Sequence, residues 1–238
     1  MRRRTRVWLG ILVGLIVLLI AADRLGSLAA RSAAQERLAQ DAPFRSTPTV
    51  KINGVPFLTQ AVRGVYRDVE VSGDLNQIGQ IQTSSLDVHL HGVHVPLTDV
   101  IRRDVQTVPV DDVAGTLTIP YSEVARLSKI SNLTITPEGS KLRATATATL
   151  PVLGNDVTVT GVGVITLVDG QIKIELTKLN AGPVTIPAAL LPTVSSALSA
   201  QIPLPTLPYG LHLTEITTGS DGLHVAGAGS DLVLQPQS

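Results

Sequence analysis

Three histidines in one stretch of the chain are the residues that most resemble a metal site. His89, His91 and His94 follow Asp87, and an extra bulge residue at Gly92 would put all four side chains on one polar strand face. Imidazole and carboxylate groups are common zinc ligands. Exposed strand positions, however, often carry histidine without any ligand, and no His-Glu-x-x-His spacing frames this set. The sequence therefore favours solvated histidines, and we expect no metal site.

Other patterns of catalytic residues are equally weak. Serine, histidine and aspartate are all available, but no Gly-x-Ser-x-Gly motif occurs. The glycine pairs at Gly161–Gly163 and Gly227–Gly229 lie within strand patterns, which argues against a phosphate-binding loop. The absence of cysteine excludes disulfides, thiolate catalysis and cysteine-based zinc sites. We expect a protein that is not an enzyme and has no cofactor.

The stretch Lys141 to Leu150 indicates a different kind of site. Its odd positions are basic or threonine, whereas its even positions are all apolar and mostly alanine. Protein interiors are packed close to crystal density, so small side chains on an inward face leave space that something must fill. Two alternatives remain for what fills this space, namely closely approaching helices or the acyl chains of a ligand in an apolar cavity. Gly161 and Gly163 on the next strand extend the same space.

Candidate ligand-binding residues follow from this strand and from two predicted helices. The residues expected to line an apolar groove are Phe57, Leu58, Val62, Leu142, Ala144, Ala146, Ala148, Leu190, Val194 and Leu198. Arg63 and Arg67 are candidates for binding an anionic head group at its mouth. The alternative is that these arginines belong to an ordinary solvated face.

The first of the two helices is predicted within Lys51 to Tyr66. Pro56 suits a first helical position, and Gly64 suits the residue after the last. Helical spacing predicts an apolar face made of Phe57, Leu58, Ala61 and Val62. The solvent face should then consist of Thr59, Gln60 and Arg63.

Most of the remaining chain alternates with period two, which is typical of half-buried strands. The predicted strands are Val65–Leu75, Leu86–Val95 with a change of phase at Gly92, Val113–Ile119, Lys141–Leu150, Val157–Val168, Gln171–Leu179, Leu211–Thr218 and Leu223–Val233. Val168-Asp169-Gly170-Gln171 predicts a hairpin. Further helices are expected at Tyr121–Ser128 and Ile186–Ser199, before a proline-rich connection over Gln201–Tyr209. We therefore expect a mainly β (α+β) fold with a curved antiparallel sheet around one or two apolar helices.

The N-terminus indicates export. Arg2, Arg3, Arg4 and Arg6 precede sixteen uncharged residues, Val7 to Ala22. These would rise roughly 24 Å as a helix against a hydrocarbon core of about 30 Å. Residues 1–24 are therefore a signal-anchor or a signal peptide, with Ser27 and Ala29 as a small-x-small cleavage motif; we favour an uncleaved anchor with its basic end inside. Residues 25–48 are expected to form a helical stalk and linker, and residues 49–238 a single β domain.

The charge balance excludes one broad class of partner. The chain has 19 basic and 19 acidic residues, so no net field attracts nucleic acid. A membrane and an apolar ligand are the partners that the sequence indicates.

Several segments resemble an actinobacterial envelope family, that of the mycobacterial lipomannan elongation factor. They are Lys51–Gln60 followed by Gly64-Val65-Tyr66, Leu207–Leu211, and Asp221–Gly227. The resemblance implies a fold like that of the tubular lipid-binding superfamily, in which a curved sheet wraps a helix and encloses an apolar groove. It also implies a non-enzymatic phospholipid-binding protein on the periplasmic side of the inner membrane that supports mannan elongation on lipomannan and lipoarabinomannan, or lipid transfer. The partners it implies are a phospholipid, of phosphatidylinositol type, and an envelope mannosyltransferase. A structural or scaffolding envelope domain without a lipid ligand is the alternative.

Overall fold

The structure, a computed structural model, describes residues 2–41, 44–78, 80–102, 104–149, 156–168, 171–181, 200–203, 207 and 210–235. Its helices are α1 Arg2–Asp41, α2 Phe57–Arg63, α3 Leu97–Arg102 and α4 Tyr121–Ser128. Its strands are β1 Thr49–Asn53, β2 Val65–Gly73, β3 Gln77–Ile78, β4 Ile81–Gln82, β5 Ser85–His94, β6 Val108–Ile119, β7 Thr134–Glu138, β8 Lys141–Thr149, β9 Asp156–Val168, β10 Gln171–Asn180, β11 Ala200–Pro203, β12 His212–Thr218 and β13 Leu223–Leu234.

The strands form two main sheets and a small two-stranded one. The six-stranded sheet has the order β1-β2-β5-β6-β13-β12, the five-stranded sheet has the order β11-β10-β9-β8-β7, and β3 pairs with β4. The chain is thus mainly β with curved antiparallel sheets, as expected, although the strands are divided between two sheets. Two compact units comprise Met1–Gly73, Asp87–Ala114 and Gly229–Ser238 in the first, and Asp74–Leu86 and Gly115–Ala228 in the second.

In the first unit, α1 is a single helix that ends at Asp41, two residues before Pro43 in the sequence. The stretch expected as a stalk does not stand apart, because α1 packs against α2 and β1. Arg31 donates a hydrogen bond to the backbone carbonyl of Ile52 at 3.0 Å. The buried apolar residues of this unit include Val50, Phe57, Ala61, Tyr66, Val93, Val110, Val113 and Leu232.

The phase change predicted in β5 is confirmed. Leu86, Val88 and Leu90 are partly buried at even positions, whereas Val93 at an odd position is only 8% exposed. Gly92 lies between them with φ of 63°, the left-handed conformation that a bulge glycine adopts. A side chain there would collide with the carboxylate of Asp111.

In the second unit, the apolar face of the five-stranded sheet forms one side of the core. Its buried cluster comprises Ile81, Ile119, Val124, Ile135, Leu142, Ile172, Ile174, Leu223 and Val225. The predicted hairpin is confirmed, since Gln171 pairs with Val168 where β9 and β10 meet. The helix predicted at Tyr121–Ser128 is confirmed with the same bounds as α4.

One buried acid joins α4 to the rest of the second unit. The side chain of Glu123 is 3% exposed and accepts a 2.9 Å hydrogen bond from the backbone N–H of Gln82. Arg126 donates two further hydrogen bonds to it, at 2.6 and 2.7 Å. The Arg126 hydrogen bonds lower the pKa of Glu123, against the opposing effect of burial.

Some elements were not expected from the sequence. They are β1, β3, β4, α3, β7 and β11, all of them six residues or fewer. Ala200–Pro203 pairs with β10, so the proline-rich connection predicted from Gln201 begins as an edge strand. Prolines are tolerated at such edges because one side of the strand needs no ladder hydrogen bond.

Candidate functional site

Helix α2 ends where glycine predicted, but it begins at Phe57, one residue after the predicted first position Pro56. Pro56 precedes it in extended conformation, and Gly64 ends it with φ of 70°, donating its N–H to the carbonyls of Gln60 and Ala61. Phe57 is 7% exposed, and its ring centroid lies 6.0 Å from that of Tyr66. The buried ring of Phe57, at the start of α2, therefore holds the helix in the first unit.

The predicted division of α2 into apolar and polar faces is wrong at two positions. Gln60 was expected in solvent but is 7% exposed, whereas Val62 was expected in the core but is 76% exposed. The Gln60 amide donates to the carbonyls of Asn53 and Gly54 at 3.2 and 3.0 Å and accepts from the N–H of Arg67 at 3.0 Å. Buried backbone groups must be hydrogen-bonded, so the turn before α2 draws this amide inward.

The small-residue strand is buried as its pattern indicated. Leu142, Ala144 and Ala146 are 1%, 6% and 2% exposed. On β9 their partners are, in order, Gly163, Gly161 and Val159, and Ala148 pairs with Val157. Directly opposed residues point to the same side of an antiparallel sheet, so two adjacent strands share a face with little side-chain volume.

Among the described residues, the buried cluster of the second unit includes one end of this face. Leu142 belongs to the buried cluster of the second unit, whereas Ala146 and Val159 are buried without being members of it. Leu190, Val194 and Leu198, together with the predicted helix Ile186–Ser199, lie outside the described residues. The groove candidates also fall into separate units, with α2 in the first and β8 in the second.

An open groove of about 460 Å³ lies beside α2 in the first unit. Val62, Arg63 and Ile101 are among its lining residues, together with His94 and Leu97. One head-group candidate, Arg63, therefore borders an apolar surface. Arg67, the other candidate, is exposed on β2 and does not line the groove.

Helix α3 forms the other wall of this groove, and sequence reasoning missed it. Pro96 precedes the helix, and its carbonyl accepts hydrogen bonds from Asp99 and Val100. Proline before a short segment with an acidic first turn is a helix-start signal that could have identified α3.

The β5 histidines, His89, His91 and His94, are dispersed by their partners. Each contacts a different carboxylate, those of Asp87 at 3.1 Å, Asp68 at 3.5 Å and Asp111 at 2.8 Å respectively. Within the ranges that the structure describes, no three histidine or acidic side chains form a group that could hold a metal ion.

The N-terminal helix α1 is the remaining feature that bears on function. By length and composition, α1 could cross a membrane, and an N-terminal helix of this kind could equally be a signal sequence. Together with the buried small-residue sheet face, these features define a mainly β chain whose N-terminal helix could cross a membrane.

A family model that matches this chain identifies its family. Residues 21–228 match the LmeA-like phospholipid-binding family, and the chain therefore belongs to that family. The match begins within α1, two residues before the buried Asp23. No curated protein and no solved structure matches the chain.

Proposed function

We propose that this protein binds a phospholipid non-enzymatically at the outer face of the inner membrane. In this role it supports mannan elongation on lipomannan and lipoarabinomannan, or moves lipid within the envelope. The observation that carries the proposal is the buried small-residue face of β8 and β9 in a chain of the LmeA-like phospholipid-binding family.

The acyl chains would lie against the small-residue face. Two glycines, Gly161 and Gly163, oppose Ala144 and Leu142 there, so a long flexible chain can approach the sheet closely. The groove would include the candidates of β8, namely Leu142, Ala144, Ala146 and Ala148. The candidates on Ile186–Ser199 lie outside the described residues, and Phe57 and Leu58 belong to the first unit. A hydrocarbon chain needs no hydrogen-bond partner, which suits a face without polar side chains.

The head group would be bound by arginine. Arg63 is exposed beside an apolar groove, and Arg67 is exposed on the following strand. A guanidinium group binds phosphate through two parallel hydrogen bonds, so either residue could hold a phosphodiester. A phosphatidylinositol-type lipid is the proposed ligand, and an envelope mannosyltransferase the proposed partner.

Retention of α1 would keep the protein at the membrane. Cleavage after Ala29 would remove Asp23, Gly26 and Ser27, although Asp23 and Ser27 are only 8% and 7% exposed within the first unit. This packing supports an uncleaved anchor. The basic N-terminus then stays inside and the β domain lies on the periplasmic side. N-terminal sequencing of protein recovered from cells tests this proposal, and a chain beginning at Ala30 would refute it.

A structural envelope domain is the second candidate. It is favoured by the buried apolar cluster of the second unit and by the open form of the groove between α2 and α3. Such a domain would need no lipid for stability.

Lipid extraction distinguishes the two candidates. The full chain would be purified from a membrane fraction, extracted with organic solvent and examined for phospholipid by mass spectrometry. The control is residues 1–22 fused to an unrelated soluble domain, because this fusion carries the lipid that surrounds the membrane helix alone. Phospholipid in stoichiometric excess over the control is expected, whereas equal amounts would support the structural domain.

A further inference from the structure

A hydrogen bond joins α2 to the residue of α1 that follows the apolar run Val7–Ala22. Asp23 is the first charged residue after Val7–Ala22 and is 8% exposed. Its carboxylate accepts a 2.7 Å hydrogen bond from the backbone N–H of Leu58, in the first turn of α2. A Cβ at Gly26 would lie 3.4 Å from the Phe57 ring, so the two helices approach closely one turn later. The first turn of α2 therefore lies at the same level as the end of the apolar run.

The two sides of α1 differ in character beyond Asp23. The side toward the first unit carries Asp23, Ser27 and Arg31, whereas Leu25 and Leu28 are 68% and 57% exposed. The outer surface is thus apolar at Leu25 and Leu28 and carries one exposed cation, Arg24, whose long side chain can extend its guanidinium toward the head groups. A helix from Val7 to Leu28 is about 33 Å long, which matches a hydrocarbon core of about 30 Å better than the uncharged run alone.

This geometry puts part of the first unit at membrane level. If lipid surrounds the outer side of α1 as far as Leu28, then α2, which touches Asp23 and Gly26 roughly 3–8 Å before that level, lies at the boundary between the head groups and the acyl chains. Any surface of α2 and its neighbour that faces outward would meet lipid head groups and the upper acyl chains.

That surface is apolar to an unusual degree. Outside α1, four of the six large hydrophobic side chains that are exposed in the described residues belong to α2, α3 and the turn before α2. They are Val55, Val62, Val100 and Ile101, at 72%, 76%, 43% and 72% exposed. Exposed apolar side chains concentrated in this way mark an interaction surface.

Basic residues accompany the apolar ones. Arg63 follows Val62 and Arg102 follows Ile101, and both arginines are exposed. Neither forms an ion pair with any residue that the structure describes. Apolar side chains next to unpaired cations are the composition of a surface that lies in the interface of an anionic membrane.

We propose that the α2–α3 surface, formed by Val55, Val62, Arg63, Ile101 and Arg102, lies in the interfacial layer of the membrane that α1 spans. The apolar side chains enter the head-group region, and the two arginines bind phospholipid phosphates. This proposal rests on the retention of α1 proposed above. It gives the first unit a fixed orientation on the bilayer and brings the α2–α3 groove to the lipid.

Probes at single cysteines test the proposal, because the natural chain contains no cysteine. The full chain would be reconstituted in vesicles of phosphatidylcholine with phosphatidylglycerol, with an environment-sensitive fluorophore at Val62→Cys or Ile101→Cys. Leu25→Cys reports α1 itself. Glu36→Cys is the matched control, since it is exposed on the same helix about 20 Å beyond Asp23.

Nitroxide groups on the lipid acyl chains should quench the fluorophore at Val62, Ile101 and Leu25 but not at Glu36. Val62 and Ile101 are exposed, so both variants should keep the wild-type thermal midpoint. Replacing Arg63 and Arg102 by glutamine should reduce quenching at Val62 only in vesicles that contain phosphatidylglycerol.

Two results would overturn the proposal, and they have different meanings. Quenching at Leu25 without quenching at Val62 and Ile101 would show that α1 is inserted while the α2–α3 surface faces water. Absence of quenching at all four positions would refute both the proposal that α1 is retained and the proposal that the α2–α3 surface lies in the membrane interface. Neither result tests lipid binding by the β8–β9 face, which the extraction experiment measures separately.

Discussion

Replacing Ala146 by tryptophan separates a lipid cavity from a tightly packed core. Ala146 is 2% exposed and pairs with Val159, which is fully buried. A tryptophan at this position would project into whatever space the small-residue face borders. Thr147 is the matched control, because it is the next residue on the same strand, points to the opposite face and is only partly buried.

The expected size of the effect depends on what fills the space. If protein fills it, overpacking costs about 1–3 kcal/mol of unfolding free energy. For a chain of this length each kcal/mol lowers the thermal midpoint by about 2–4 °C, so a decrease of roughly 2–12 °C is expected. If exchangeable lipid fills it, the lipid-free protein accommodates the indole, and the lipid loses its room instead.

Two measurements on the same lipid-stripped full chain distinguish these outcomes. One is the thermal midpoint, and the other is the uptake of a fluorescent phospholipid per folded molecule. We expect lost uptake at an unchanged midpoint for Ala146→Trp and neither change for Thr147→Trp. A large decrease in midpoint with uptake unchanged would refute an acyl site at this strand.

Three further predictions concern single interactions. Asp23→Ala should destabilise the first unit by about 1 kcal/mol, because the N–H of Leu58 loses its acceptor; chemical denaturation in detergent should show this loss, and Asp23→Asn, which keeps an oxygen, should recover most of it. Glu123→Gln should flatten the acid limb of the stability profile. The pKa of Glu123 is lowered in the folded state by Arg126, so its stabilisation is present above the unfolded pKa and is lost as pH falls through the folded one. If the wild type and Glu123→Gln lose stability in parallel below about pH 4, that reasoning is wrong. Replacing all three β5 histidines by glutamine should change stability by no more than about 0.5 kcal/mol per position, and a metal found in the wild type by elemental analysis would contradict this.

Short-range signals predicted several elements well. Pro56 and Gly64 set the limits of α2 because a fixed φ suits a helix start and a left-handed residue suits its end. The spacing from Val168 to Gln171 set the register of a hairpin. The change of parity at Gly92 identified the left-handed residue of β5. Each of these signals acts within a few residues, so the sequence alone contains it.

For the candidate site, the burial pattern of β8 was predicted correctly, whereas the faces of α2 were not. The small inward face of β8 was correct as a burial pattern, because alternation reports directly which side of a strand is covered. Two groove candidates of α2 differ in burial, since Phe57 is 7% exposed and Val62 is 76% exposed, and their place in one groove stays a prediction. Helical spacing states which residues share a face, but on a short helix it does not state which face is covered.

The sequence by itself predicted a mainly β chain with an N-terminal helix that could span a membrane, through its basic and apolar N-terminus, its alternating strands and its alanine-rich strand face. Tertiary structure alone decided that Gln60 is buried, because the carbonyls it satisfies belong to the preceding turn. It also decided that α1 is part of the folded unit. The hydrogen bond from Leu58 to Asp23 joins residues 35 positions apart, and that from Arg31 to Ile52 spans 21. No local pattern encodes such partners, since they meet only after the chain has folded and brought distant polar groups out of water.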